Sequence, residues 1–399
     1  MIMGKRDVVV VSGARTPFGK HGGALKGFKA VELGGIAIKE ALKRAGVKGT
    51  MVDEVIMGIV MPSGVGQVPG RQAALYGDVP HEVPVLTINK ACGSALKAVI
   101  LGAQMIKAGD ADIIVAGGME SMTNVPFVSF DMRWGNKMGD VRMQDDMLDG
   151  LICPENKVHM AVIGGEVAKE YGVTRKEQDQ WALRSQKRWD AAEKENKFKE
   201  EITPVEIKTK KGITIFEKDE SPRPETTIED LQKLPPVFVK EGTVTAGNAP
   251  GVNDGGSAVV LMSREKAEEL GAPILAIIKD YSQVAQPSKY IATVPGLSIK
   301  KILEKNNKTL DDFDLIEINE AFAAVPLVSC KLLGMDKETM DKKVNVNGSA
   351  VAVGHPVGAT GARLLMTIIN EMRRENKKNG LCAICSAMAQ GDAVWVSIE

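Results

Sequence analysis

An unbroken apolar run, Val8 to Val11, is followed by apolar residues spaced three and four apart from Val31 to Ala45. The first pattern predicts a strand buried on both faces, the second an amphipathic helix packed on it. Val55 to Val60 reads as another strand, a further apolar strand leads through a turn at Cys92 into a helix, and Ile113 to Ala116 reads as a strand again. The far end of the chain repeats the order. A strand at Ile274 to Ile278 precedes a helix near Ser298 to Leu303, a strand at Leu315 to Ile318, a Gly-rich turn and a helix from Ala362 to Met372, with strands Leu381 to Ile384 and Ala393 to Val396 closing the series. The two series keep a nearly fixed offset of about 260 to 270 residues, which is how a duplicated domain reads in sequence. Strands alternating with helices predict an α/β protein of mixed, largely parallel sheets covered by helices.

Between the halves, roughly Glu120 to Thr245, the pattern changes character. This stretch carries WGNKMGDVRM, a long charged helix and the proline-rich SPRPETT and LPPVF. The helix starts at Thr174 and Glu177, which stand at capping-box spacing, and runs through Trp181 and Trp189 to about Asn196. Most of its surface is predicted to be solvated. An insertion of this size usually covers a site or builds an oligomer contact. The division that follows is a first half of residues 1–119 and 246–272, an inserted loop domain of 120–245, and a second half of 273–399.

With 44% hydrophobic residues, the 399-residue chain can bury a large core. Lysine plus arginine balance aspartate plus glutamate at 51 each, so charge forecasts neither a nucleic-acid nor a membrane partner. The apolar run near the start is too short for a signal segment, and no stretch approaches the ~20 apolar residues of a membrane span, so a cytoplasmic protein is predicted. Five cysteines scattered at 92, 153, 330, 382 and 385 are expected as free thiols rather than an oxidised framework.

Cys92 sits in TINKACGSALKAVILGAQ, where strand gives way to helix. Unpaired amides and the macrodipole at a helix start favour a thiolate, so its pKa is predicted to fall below the usual ~8.5 and the sulfur to attack a carbonyl. His355 is one of only four histidines and stands in GHPVGATGAR, on a turn opening a helix, where its ring can project as a base. Asn319 ends DLIEIN and can donate to a developing oxyanion, directly or through water. Cys382 and Cys385 form a CxxC pair, but on a strand positions three apart face opposite ways, and no other Cys or His cluster completes a metal site. Cys385, next to the small-residue turn SAMAQG, is the one that can face the others. GVGQVPGR at Gly64 to Arg71 lacks GxGxxG spacing and reads as a plain loop.

NKACGS around Cys92, GNAPGVNDGG from Gly247, NEAFA at Asn319, GHPVGATGAR and CSAMAQGDA together resemble the signature blocks of the thiolase family, in order and along the whole chain. The resemblance implies a duplicated five-layered αβαβα fold with an inserted loop domain that binds CoA and makes oligomer contacts. It implies a homotetramer or homodimer acting on acyl-CoA thioesters, with coenzyme A as substrate or product and with no metal or other cofactor. In that scheme Cys92 takes the acyl group, His355 accepts its proton, and Cys385 deprotonates the α-carbon of a second acetyl-CoA. His355 and a water on Asn319 stabilise the enolate, while the amides of Cys92 and Ala387 hold the other oxyanion. Leu151, His159, Met160, Arg223, Ala246, Ala249, Ala321 and Phe322 fall where the family lines its CoA and acyl pocket.

Several positions depart from the family pattern. Ala387 replaces a glycine, Pro250 and Asp230 replace serines near CoA, Ile291 replaces a methionine beside the acyl pocket, and Ser349 replaces a glycine. Three rival readings make different demands on these residues. A β-ketoacyl synthase would be expected to place a second histidine where Asn319 and Cys385 stand. A non-catalytic lipid-binding or scaffold protein of the same fold would be expected to lack a reacting group. A cysteine hydrolase built on Cys92, His355 and Asn319 leaves Cys385 and the duplication unexplained. The expected activity is that of an acetyl-CoA acetyltransferase, with a 3-ketoacyl-CoA thiolase of broader chain length as the alternative.

Overall fold

The computed structural model describes residues 6–210 and 212–399. In the first half, β1 (Val8–Arg15) leads to α1 (Ala30–Ala45), β2 (Glu54–Gly58), α2 (Pro69–Tyr76), β3 (Val85–Ile88), α3 (Ser94–Ala108) and β4 (Ile113–Ser121). The apolar spacing of α1 buries Val31, Ile38, Ala41 and Leu42 on one stripe. Gly46 ends that helix in the left-handed region at φ +68°. The segment Gly64 to Arg71 departs from its reading as a loop, because α2 begins at Pro69. A proline at the first helical position lacks only an N–H that would have been unpaired, so Pro69 is well placed to start the helix.

The chain then makes its long excursion, including α4 (Met160–Glu170) and α5 (Arg175–Lys194), before returning as β5 (Asn253–Ser263). The capping box predicted at Thr174 and Glu177 forms in both directions. One stripe of α5 is buried rather than solvated. Trp181 Nε1 and Ser185 Oγ donate to the two oxygens of buried Glu320, each at 2.8 Å. At the other end of the excursion Arg15, fully buried, donates to Glu201 and Asp219. The inserted segment is thus pinned to both halves by charged hydrogen bonds.

The second half supplies β6 (Ala276–Ala285), α6 (Val294–Lys305), β7 (Leu315–Ile318), α7 (Ala324–Leu332), α8 (Thr360–Arg374), β8 (Asn379–Ser386) and β9 (Gln390–Ser397). Hydrogen bonding joins the strands in the order β7–β8–β9–β6–β1–β5–β4–β2–β3. Read outward from the seam between β6 and β1, the halves follow the same path: first strand, last strand, the strand after the central helix, then the second strand. Val9 and Val10 pair with Ile277 and Ala276 to make that seam. The predicted predominance of parallel pairing does not hold. Only β7 with β8, and β2 with β3 and β4, run parallel, and the other pairings on this path are antiparallel. The turn between β8 and β9 is too short for a crossover, so those strands must run antiparallel.

Helices α3 and α8 pack on one another between the two halves of the sheet, α1 and α2 cover one outer face, and α6 and α7 the other, which gives five layers, αβαβα. Val8 and Val10 of β1 point into the central cluster while Val9 and Val11 point into the outer one, as period two requires. Among the described residues no helix is long and apolar enough to cross a membrane.

Candidate active site

The two central helices begin beside one another, and the turns before them carry the candidate chemistry. Before α3 the backbone makes a tight elbow in which Ala91 adopts a left-handed φ of +46°. Ser94 holds it, its Oγ accepting from Lys90 N at 2.8 Å and donating to Ala91 O at 2.7 Å. Cys92 follows, buried at the helix start. The predicted thiolate is not what this setting favours. Burial pushes the Cys92 thiol up to about 12, and the negative Glu120 adds to the rise, while a backbone hydrogen bond in the turn lowers it without offsetting the burial. The backbone acts in the expected direction but is outweighed.

Before α8, His355 is fixed by its own backbone N–H, which donates to Asn253 Oδ1 at 2.8 Å. Gly354 makes this approach possible: φ is +105° and a Cβ there would lie 2.7 Å from the Asn253 side chain. Thr360 Oγ1 donates to Pro356 O at 2.9 Å and lies 2.7 Å from His355 Nδ1. A hydroxyl whose proton is so engaged accepts, so Nδ1 carries the imidazole hydrogen and Nε2 presents a lone pair. Asn319 Nδ2 lies 3.3 Å from that Nε2, and Asn319 Oδ1 is buried with no hydrogen-bond partner among the described residues. Burial, followed by the charge of Arg363, brings the His355 imidazole down to about 3, so it is neutral at ordinary pH.

Cys382 and Cys385 point to opposite faces of β8, the first into the central cluster and the second into the outer one. Burial holds the Cys385 thiol above its usual range, and Cys92 is near enough to raise it further. In the turn that follows, the left-handed residues are Met388 at φ +60° and Ala389 at φ +49°. Ala387 is not among them, so its replacement of a glycine carries no such strain. Ser349 Oγ donates to Glu317 at 2.7 Å and accepts from Arg363 at 3.1 Å, in a buried charged cluster away from the cavity wall.

A largely apolar cavity of about 210 Å³ opens onto Cys92 and His355. Leu151, His159, Met160, Ala246, Ala249, Ala321 and Phe322 line it, as do Pro250 and Ile291. Asn319, Cys385 and Ala387 are not among its lining residues. Arg223 lies in an adjoining cavity of about 330 Å³ with Lys20, Gln186 and Asp230. The two share Ala246, Ala249 and Gly251 in the wall between them. Asp230 is turned to local use, accepting from Thr227 Oγ1 at 2.6 Å to cap a short helix.

Sequence reasoning missed Phe238 and Thr360. The Phe238 ring stacks on His159 with centroids 3.8 Å apart, on a backbone at φ +66°. His159 is brought down to about 4 by burial and so acts as a neutral stacked wall. Only the proline-rich LPPVF hinted at an unusual backbone there, and Thr360 gave no signal beyond its place in GATG.

Family models for the thiolase N-terminal domain and the thiolase C-terminal domain match residues 8–265 and 272–398. The chain is 49% identical over 392 residues to an acetyl-CoA acetyltransferase of Cupriavidus necator, covering 98% of this chain and 99% of that one. It is 45% identical over 396 residues to an acetyl-CoA acetyltransferase of Syntrophomonas wolfei, with 98% and 99% covered. Its structure superposes on the crystal structure of human mitochondrial 3-ketoacyl-CoA thiolase with a TM-score of 0.94, at 39% identity over 99% of each chain. The Bacillus anthracis acetyl-CoA acetyltransferase gives a TM-score of 0.95, also at 39% identity, over 98% of this chain and 99% of that one.

Proposed function

The chain belongs to the thiolase family, and from that premise we propose that it catalyses the reversible Claisen condensation of two acetyl-CoA molecules to acetoacetyl-CoA and CoA. The observation that carries the reading is the meeting of Cys92 and His355 in the wall of an apolar cavity, with Cys385 close behind. Both wall groups are neutral at rest. As the Cys92 sulfur attacks the thioester carbonyl, its proton passes to the lone pair on His355 Nε2. The acyl–sulfur bond of acetyl-CoA then breaks, CoA leaves with a proton, and acetyl-Cys92 remains. Cys385, which has given its own thiol proton to solvent and regains one after turnover, next takes a proton from the methyl group of a second acetyl-CoA. The enolate carbon attacks acetyl-Cys92, the carbon–carbon bond forms, and the bond to Cys92 breaks, the proton on Cys385 restoring the Cys92 thiol.

Burial and Cys92 both oppose ionisation of Cys385. An acylated Cys92 can no longer carry charge, so the second obstacle lifts only when the acceptor is in place. In this reading Asn319 Oδ1 holds a water that donates to the enolate oxygen, joined by His355 when its Nε2 carries a proton, and the amides of Cys92 and Ala387 face the oxygen on the acetyl group. Leu151, His159, Met160, Ala246, Ala249, Ala321 and Phe322 take the acyl group and pantetheine arm, and Arg223 in the outer cavity suits the phosphates.

The exposed Phe127, Phe130, Trp134 and Met138 of the inserted segment support self-association as a tetramer or dimer, which sedimentation equilibrium would measure. The activity is tested by CoA-dependent cleavage of acetoacetyl-CoA beside a longer 3-ketoacyl-CoA. Cleavage of the short substrate alone, abolished in Cys92→Ser, is expected. Equal cleavage of the longer substrate would widen the assignment, and no cleavage of either would overturn it.

A further inference from the structure

The elbow that carries Cys92 belongs to the first half, yet two of its contacts reach into the second. Lys90 Nζ donates to Asp392 Oδ1 at 2.7 Å and Gly93 N donates to Ser386 Oγ at 3.0 Å, so Cys92 is bracketed on both sides. Both acceptors lie on the β8–β9 hairpin, where Cys385 directly precedes Ser386. The approach is close: a Cβ on Gly93 would fall 2.3 Å from Ser386 Oγ and 3.0 Å from Asp392 Oδ2. Asp392 is fully buried and Lys90 is 15% exposed. Asp392 Oδ2 has no hydrogen-bond partner among the described residues. A carboxylate so placed is costly unless its cation stays with it, which makes the pair a rigid tie rather than a loose surface contact.

The duplication supplies an independent view of the same device. Ala258 pairs with Gly117 as Ala393 pairs with Ala383, so Ser257 is the counterpart of Asp392 and Glu120 that of Ser386. Ser257 Oγ donates to Ala359 O at 2.5 Å, and Glu120 Oε2 accepts from Gly358 N at 3.0 Å. Each half therefore uses the same two strand positions to hold the start of the other half's central helix. The tie made by the last strand is neutral in one direction and an ion pair in the other, and the ion pair lies on the side of the nucleophile.

We propose that Asp392 is a positioning residue which, through Lys90, sets the Cys92 elbow against the hairpin of Cys385 so that the two sulfurs stand where a carbon–carbon bond can form between their substrates. The inference rests on the proposed roles of Cys92 as acyl carrier and Cys385 as base. It separates two rates. Acylation of Cys92 uses Cys92, His355 and the Ala387 amide but not the Cys385 sulfur, whereas condensation and thiolysis need both sulfurs in register.

The test uses the full-length protein, Asp392→Asn and the neutral double variant Lys90→Met/Asp392→Asn. Exchange of labelled CoA into acetyl-CoA reports acylation, and thiolysis of acetoacetyl-CoA reports the full reaction. Asp392→Asn is expected to lower kcat for thiolysis about ten- to a hundredfold while exchange changes less than about twofold. The double variant, free of an unpaired buried charge, is expected to recover the native Tm without recovering thiolysis. A parallel fall of both rates, no fall in either, or thiolysis recovering together with Tm would overturn the proposal. A native protein that fails to exchange CoA would overturn the role given to Cys92, and this inference with it.

Discussion

At the end of β4 the first half carries Met119 and Glu120, and at the equivalent end of β8 the second half carries Cys385 and Ser386. The strand register is the same, and both Met119 and Cys385 turn toward the outer helices of their own half. One position holds an inert thioether wedged against Gly34, while the other holds a thiol near Cys92. The helix starts differ in the same way, with an elbow cysteine before α3 and a histidine five residues ahead of α8. Duplication thus supplied paired positions that differ in single side chains, and in the proposed mechanism the first half keeps the acyl carrier and the second the proton-handling groups.

The largest effect that can break this comparison comes from the unequal pair itself. Cys385→Ser should lower thiolysis by roughly 10³-fold while leaving CoA exchange in place, since a general base is worth about 10² to 10⁴. Met119→Leu should leave both rates unchanged; if it slowed thiolysis as much, the two positions would not differ in role. Next is the state of the nucleophile. With Cys92 up at about 12, its thiolate fraction at neutral pH is on the order of a thousandfold below that of a free cysteine near 8.5. Alkylation of Cys92 by iodoacetamide, followed by peptide mapping, should therefore keep rising beyond pH 9, and a plateau near pH 7 would refute the neutral pair.

A smaller contrast lies between the two backbone ties. Glu120→Ala strands the N–H groups of Val60, Met61 and Gly358, and urea unfolding should register a loss of about 3 kcal/mol or more, against about 1 kcal/mol for Ser386→Ala. Burial also holds the Glu120 carboxyl up to about 7. Its protonated form favours the folded chain, so stability should fall as pH rises from about 4.5 to 7, with a shallower slope in Glu120→Gln. Equal losses in the two alanine variants would show the ties to be equivalent. The smallest effect sharpens the histidine side. Thr360→Val removes the acceptor for Nδ1–H and should lower kcat about tenfold with KM little changed, and Thr360→Ser should restore it. A Thr360→Val protein of native kcat would mean that another group fixes the ring.

The parts of the molecule legible in the sequence were those that local pattern determines. The periodicities that repeat across the two halves become strands and helices in the same order, and Thr174 with Glu177 makes the expected cap. The CxxC pair splits across β8 because strand geometry alone requires it. What the sequence did not disclose depends on distance through space. The helix start that favours ionisation of Cys92 is visible in sequence, whereas the burial that outweighs it is assembled from segments hundreds of residues apart. Asp392 meets Lys90 from 302 positions away, and nothing near either residue announces the contact. Phe238 reaches His159 through a left-handed backbone that no glycine marks. The seam at Val9 and Val10 pairs two strands that belong to different repeats, which repetition cannot reveal.

The central layer has a consequence for how the chain is made. Residues of α3 and α8, together with the inner faces of β1, β5, β8 and β9, form one cluster, so neither half is closed by itself. When the first half leaves the ribosome, α3 presents Leu96, Val99 and Ile100 to water until α8 has been synthesised and can cover them. During that interval the nascent chain carries an apolar face that only its own second half can cover.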